Sequence, residues 1–317
     1  MKLIPPVEIT TERLIANNAP ETSQEEAATY DPEATYAKKA RVQVPETHTI
    51  YESAKDDNTG NYPPDHLTPD ADGQPAAWLR VMSTNPRAMF DGRIGTLTSG
   101  NTEWAVGNGK GLQFEIAPGR VVNSVILFGL EGQAVTAEVV DPVEGVVFER
   151  RLSLVATTGI NTMYAYLFSP IERRADLAFL DLPSYGTANI RISIDSGSGM
   201  ARCGLCIVGQ ARQIGLTKWG INTGIINYSR IEDDQFGITD IRPRGFVRRA
   251  SMDVLLEKNR TNGVYRDLAK YRATPVVWVG YQDFEPTLIY GVFSSFDIIY
   301  PHAAYNDCAI EIRGIQT

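Results

Sequence analysis

The 317-residue sequence predicts a mainly-β protein in three parts: an extended N-terminal arm, an antiparallel jelly-roll-like β-sandwich, and a small C-terminal α+β domain on an antiparallel sheet. Three observations predict it. Short β-type segments separated by glycine-bearing turns fill the middle of the chain. A strand–helix–strand–strand–strand order closes it. The first 77 residues show neither pattern and differ in composition from everything after them.

Those 77 residues hold 14 Asp and Glu against 6 Lys and Arg, which is the whole net charge of −8; the other 240 residues are neutral. They also hold nine of the 18 prolines but only two of the 27 glycines. Proline removes amide donors and forces the preceding residue into extended conformation, so residues 1–77 are expected as an acidic arm. Tyr30, Tyr36, Val42, Val44, Ile50, Tyr51, Tyr62 and Leu67 are too many large apolar groups to leave in water. The arm must therefore pack on the chain's own domains or on a partner, and a partner is favoured because long structureless segments are uncommon inside compact domains.

Residues 78–213 are expected as the sandwich. The segments 111–116, 121–130, 135–140, 146–155, 163–168, 178–182, 189–194 and 203–208 read as strands. Asn-Gly, Pro-Gly, Glu-Gly, Thr-Gly and Ser-Gly pairs between them mark turns. Ile190, Ile192 and Ile194 alternate with Arg191 and Ser193, the pattern of one buried and one wet face. Residues 214–317 form the third part. A strand is expected at 246–256, a helix at 262–272 with Val264, Leu268 and Tyr271 on one face, and strands at 275–281, 287–300 and 307–315.

Several classes of function are excluded or lack support. The longest nearly apolar run, 121–130, is far short of the ~20 residues of a membrane helix. The opening Met1–Pro6 breaks after two apolar residues, so no secretory signal is expected. An acidic chain without a basic stripe does not suit nucleic-acid binding. Three cysteines make no disulfide framework. Cys203 and Cys206 have C-x-x-C spacing but lack further ligands and sit in a β pattern, so buried strand residues are expected and no metal. Gly107–Gly111 fails the phosphate-loop pattern because Gly111 follows Lys110 where a hydroxyl is required, and reads as a turn. Asp56–Gly60 and Asp70–Gly73 lack the glutamate of a calcium loop. His48, His66 and His302 fall in unrelated contexts, and no nucleophile–base pair is nominated. Glu232, Asp233 and Asp234 are read as a solvated face, with pairing to Arg242, Arg244, Arg248 and Arg249 across a subunit contact as the alternative.

One stretch stands apart. Residues 78–92 read WLRVMSTNPRAMFDG, followed by Trp104 and by Leu112-Gln113-Phe114-Glu115-Ile116. A Phe-Asp-Gly turn followed by a Trp and such a strand resembles the opening of discoidin-like, galactose-binding-type jelly rolls, over roughly residues 78–211. The resemblance implies a structural calcium near Asp91 and sugar held by loops at one end of the sandwich.

A longer string is similar to the N-terminal half of tailed-bacteriophage tail proteins. It runs through Tyr36, Val42, His48-Thr49-Ile50-Tyr51-Glu52-Ser53, Asn58-Thr59-Gly60-Asn61, Pro63-Pro64, Trp78, Thr84-Asn85 and Met89-Phe90-Asp91, and Trp219–Asn222 and Asp233–Gly237 add to it. Pro86 after Asn85 departs from that pattern in the loop before Phe90. This resemblance implies a structural part of a tail tip, baseplate or collar, made in the host cytoplasm and carried in the virion. Its partners would be other tail proteins and copies of itself in a ring or hub, and it supplies no catalytic residues.

The alternative is a receptor-recognition module for a bacterial surface glycan. Trp104, Trp78, Tyr164, Tyr166 and Tyr185 are the candidate aromatic platforms, and Asn85, Arg87, Asp91, Asn101 and Asn108 the candidate hydrogen-bonding groups. A depolymerase would need two carboxylates about 5–9.5 Å apart, and no pair is nominated.

Overall fold

The computed structural model describes residues 1–69, 75–156, 161–233, 239–282 and 284–315, with only the backbone described for Ala165, Tyr166 and Asp233. The Asp70–Gly73 segment lies outside these residues, as does Asp234–Gly237 of the tail-protein resemblance. The protein is mainly β, and its two α-helices among the described residues are Met163–Phe168 and Lys258–Lys270.

One sheet of the sandwich runs Gly145–Ser153, Ala134–Asp141, Asn189–Asp195, Lys110–Ile116 and Leu14–Asn17, all antiparallel. The facing sheet is Leu177–Phe179, Ser124–Phe128 and Leu205–Gly209. Ile190, Ile192 and Ile194 point into the core between them, as their alternation predicts. The other face is not simply wet. Arg191 lies directly opposite Glu115 on one neighbouring strand and Glu138 on the other, and bonds both at 2.9 Å. Ser193 is buried, because Gln113 donates to its hydroxyl at 2.9 Å while holding the Val106 backbone above it.

The three-stranded sheet is buried on both faces, which explains its continuous apolar strands. Val125, Leu127, Cys206 and Val208 face the sandwich core. Ile126, Phe128, Leu205 and Ile207 face the opposite way, against Ile4, Val277, Val279, Leu288 and Tyr290 of the C-terminal sheet. Burying each side chain of this size is worth about 1.5–3 kcal/mol, so the two bodies are held as one stack.

The C-terminal sheet has eight antiparallel strands. Its path is Arg212–Gln213, Lys2–Ile4, Val276–Val279, Leu288–Ile299, Tyr305–Gly314, Phe246–Glu257 and Leu216–Thr217, and Asn222–Asn227 also pairs with Phe246–Glu257. Helix Lys258–Lys270 covers its outer face with Val264, Leu268 and Tyr271, the stripe that the sequence marks. The helix starts four residues before the expected position, because Glu257 gives no side-chain cap and so no sequence signal.

Two expectations require correction. Residues 163–168 form a helix, not a strand. The aromatic spelling MYAYLF looks β-like, but Tyr164 and Phe168 stack at i, i+4 with ring centroids 4.8 Å apart. The segment sits at the end of a loop closed by Ala156 N–H donating to Glu172 O, where no strand is offered to it.

Residues 1–77 are not a free arm. Residues 1–17 run extended apart from the 3-10 turn Thr11–Arg13, adding Lys2–Ile4 to the C-terminal sheet and Leu14–Asn17 to the sandwich. The rest folds with residues 78–83 into a four-stranded sheet: Ala28–Thr29, Arg41–Val44, Thr49–Ser53 and Trp78–Ser83. Val42, Val44, Tyr51, Ala77 and Trp78 form its core, with Tyr30, Tyr36, Tyr62 and Leu67 packed around them. The large apolar groups of the acidic stretch are therefore satisfied within the chain, and the boundary at 77/78 cuts through this small core.

Candidate functional site

The Phe90-Asp91-Gly92 turn ends the 3-10 helix Asn85–Phe90. Phe90 meets Phe114 of the sandwich edge-on, ring centroids 5.8 Å apart. The Asp91 carboxylate accepts from the Arg93 amide at 2.8 Å and lies 2.9 Å from the Thr96 hydroxyl. Burial pushes the Asp91 carboxyl above its usual range, against the pull of those two donors. Gly92 has φ +80°, where a side chain is strained, and a Cβ there would stand 3.6 Å from the Tyr290 hydroxyl. Tyr290 belongs to the C-terminal sheet, and burial first and then Asp91 raise its phenol above the ordinary value. The turn is thus a joint between the sandwich and the C-terminal body. Its oxygens are engaged by protein donors, and no group of three or more His, Cys, Asp or Glu suited to a metal occurs among the described residues. The surroundings of Asp91 do not fit the calcium ion that the jelly-roll resemblance implies.

Asn85 and Arg87 are used in the same manner. Asn85 Nδ2 donates to Pro20 O at 2.7 Å and to Ser99 O at 3.0 Å, while its Oδ1 accepts the Ser99 amide at 2.8 Å. Arg87 is buried and donates to Ile9 O at 3.0 Å; burial pulls its guanidinium below the ordinary value. Both side chains tie the N-terminal segment to the sandwich, and the Asn85 amide is fully used in doing so.

The aromatic candidates divide. Trp78 is fully buried in the N-terminal core, edge-on to Tyr36 with ring centroids 5.4 Å apart, and its indole donates to Asn61 O at 2.8 Å. Trp104 is half-buried in the six-residue loop that joins Thr102–Glu103 to Lys110–Ile116. Its ring lies on Gly109, where a Cβ would fall 2.5 Å from it, so Gly109 is required there. This loop is the Gly107–Gly111 turn that the phosphate-loop pattern excludes. Asn101 and Asn108 are exposed beside it. Tyr185 is 37% exposed on a separate loop, and Tyr164 is exposed on helix Met163–Phe168. The side chain of Tyr166 lies outside the described residues.

Cys203 and Cys206 are buried thiols either side of Gly204. Burial raises Cys203 to about 12 and Cys206 well above its ordinary value, so neither is a nucleophile at neutral pH. His48 bonds Glu21 at 3.1 Å, and His66 Nδ1 contacts Tyr62 O at 3.0 Å.

Two features have no signal in the linear pattern. A cleft of about 530 Å3 opens between the N-terminal sheet and the sandwich, with Asn85 in its wall. A two-stranded ribbon, Arg230–Asp233 with Thr239–Arg242, continues from the hairpin of Asn222–Asn227 and Phe246–Glu257. Ile231 and Ile241 face each other on this ribbon, each 62% exposed. Its charges pair within each strand, Arg230 with Glu232 and Arg242 with Asp240. Arg248 turns back to Asp176 of the sandwich.

No protein-family model matches the chain, and none of the curated proteins or solved structures compared with it does either.

Proposed function

We propose that this chain is a non-enzymatic structural component of a bacteriophage tail, at the tip, baseplate or collar, and that it joins neighbouring subunits of the virion. The observation that carries this reading is the ribbon. A two-stranded hairpin alone in water is marginal at best, and this one exposes the Ile231–Ile241 pair, with no third strand beside it among the described residues. A neighbouring subunit in a ring or hub covers such a surface. The stack behind it suits a part that transmits load, because the sandwich and the C-terminal sheet share buried packing and one N-terminal segment adds a strand to each. The tail-protein resemblance of residues 36–91 points the same way. Gold-labelled antibody against the chain, applied to phage particles that carry its gene, is expected to decorate the tail. Particles of full infectivity without label would overturn the reading.

Recognition of a surface glycan is the second reading. Trp104, half-buried on Gly109 with Asn101 and Asn108 exposed nearby, is the observation that favours it.

A further inference from the structure

The cleft between the N-terminal sheet and the sandwich makes a site separate from the Trp104 loop. Its volume, about 530 Å3, is in the range of small-ligand sites, and junctions between domains are where such sites concentrate. Its walls are held from both sides. Asn85 uses its whole amide on Pro20 and Ser99, and its backbone N–H donates to Thr22 Oγ1 at 3.0 Å. The cleft is therefore preformed.

Its chemistry is specific. The Ser83 and Ser99 hydroxyls and the Glu26 carboxylate line it and have no hydrogen bond or ion pair among the described residues. Met82 and Leu97 supply apolar surface between these polar groups. The described lining contains carboxylates, from Glu21 and Glu26, but no lysine or arginine. Hydroxyls beside apolar patches match the alternating C–H faces and hydroxyls of a sugar. The Glu26 carboxylate, with no cation beside it among the described residues, repels a uronate, sulfate or phosphate group, while Glu21 is held by His48.

We propose that this cleft binds a neutral saccharide and rejects anionic ones. The proposal rests on the glycan-recognition reading but places the ligand on Ser83, Ser99 and Glu26 instead of Trp104.

Saturation-transfer NMR and calorimetry on the full chain test it, with maltohexaose and N-acetylchitohexaose as neutral probes and an alginate hexamer as the anionic one. A neutral probe is expected to bind and the alginate is not. Ser83→Trp, which fills the cleft, is expected to weaken binding more than about tenfold, the equivalent of one or two lost hydrogen bonds. Trp104→Ala is expected to leave it unchanged. Glu26→Gln, at an exposed position that cannot disturb folding, is expected to admit the alginate. Binding lost in Trp104→Ala but kept in Ser83→Trp would overturn the cleft and leave glycan recognition standing. Alginate binding as well as the neutral probes would overturn the charge argument, and no binding by any probe would overturn both.

Discussion

Arg248 of the C-terminal sheet donates to Asp176 of the sandwich, and this ion pair closes the edge of the packing that fuses the two bodies. Asp176 is 7% exposed and also accepts the Gly129 amide at 3.3 Å; Arg248 reaches the Leu288 carbonyl at 3.4 Å. Removing one partner leaves the other charge desolvated and unpaired. Arg248→Met is therefore expected to lower stability by about 1–3 kcal/mol, discounted for the partial exposure of the arginine. Urea denaturation of the single variant and of Arg248→Met/Asp176→Asn checks it. The double variant should recover part of the loss, and a neutral single variant would show that water already satisfies Asp176.

Phe128 is 2% exposed and projects from the central sheet toward Tyr290, ring centroids 6.3 Å apart. Phe128→Ala opens a cavity between two bodies and is expected to cost about 3–5 kcal/mol. If the bodies are one stack, tryptophan fluorescence and far-ultraviolet circular dichroism should report a single shifted transition. Two separated transitions, with only one displaced, would show that they unfold independently.

The buried thiols give a pH dependence with a definite sign. Cys203 keeps its proton in the native state until about 12, whereas an unfolded thiol ionises near 9.0. The folded pKa is raised, so this contribution is fully present below pH 9 and is lost as pH rises toward 12. The slope is at most about 1.4 kcal/mol per pH unit for each such thiol. Urea midpoints of the wild type and Cys203→Ala should run parallel from pH 7 to 9 and diverge above it, with the smaller fall in Cys203→Ala. Iodoacetamide should leave native Cys203 and Cys206 unmodified at pH 8 and alkylate both in denaturant.

The sandwich and C-terminal sheet were legible where burial imposes a strict period. Ile190, Ile192 and Ile194 mark a one-sided strand, and Val264, Leu268 and Tyr271 mark a helix face, because each lies on a single surface. The N-terminal sheet was not legible. Its strands are two to six residues long, its parallel pair joins Ala28–Thr29 to Arg41–Val44, and its core brings Tyr30, Tyr36, Tyr62 and Trp78 together across nearly 50 residues of sequence. Proline and acidic composition read as extended chain because its one short alternation, Val42 and Val44, is packed around by Tyr30, Tyr36 and Tyr62 at irregular spacing. Among the site residues, Asn85, Arg87 and Asp91 stood out by type, but type does not reveal that each is already engaged by protein atoms. Ser83 and Glu26 carried no signal at all, since the cleft exists only once two bodies meet.

The exposed ribbon, as proposed, joins this chain to its neighbours, and light scattering on the full chain, which gives its mass in solution, decides whether it does. Ile231→Lys/Ile241→Glu removes the apolar pair and sets opposite charges across the ribbon, an arrangement that keeps the two strands paired. The wild type is expected to form a closed oligomer, and the double variant to run as a folded monomer with an unchanged circular dichroism spectrum. A wild type and a variant of the same mass, whether both monomeric or both assembled, would contradict the account.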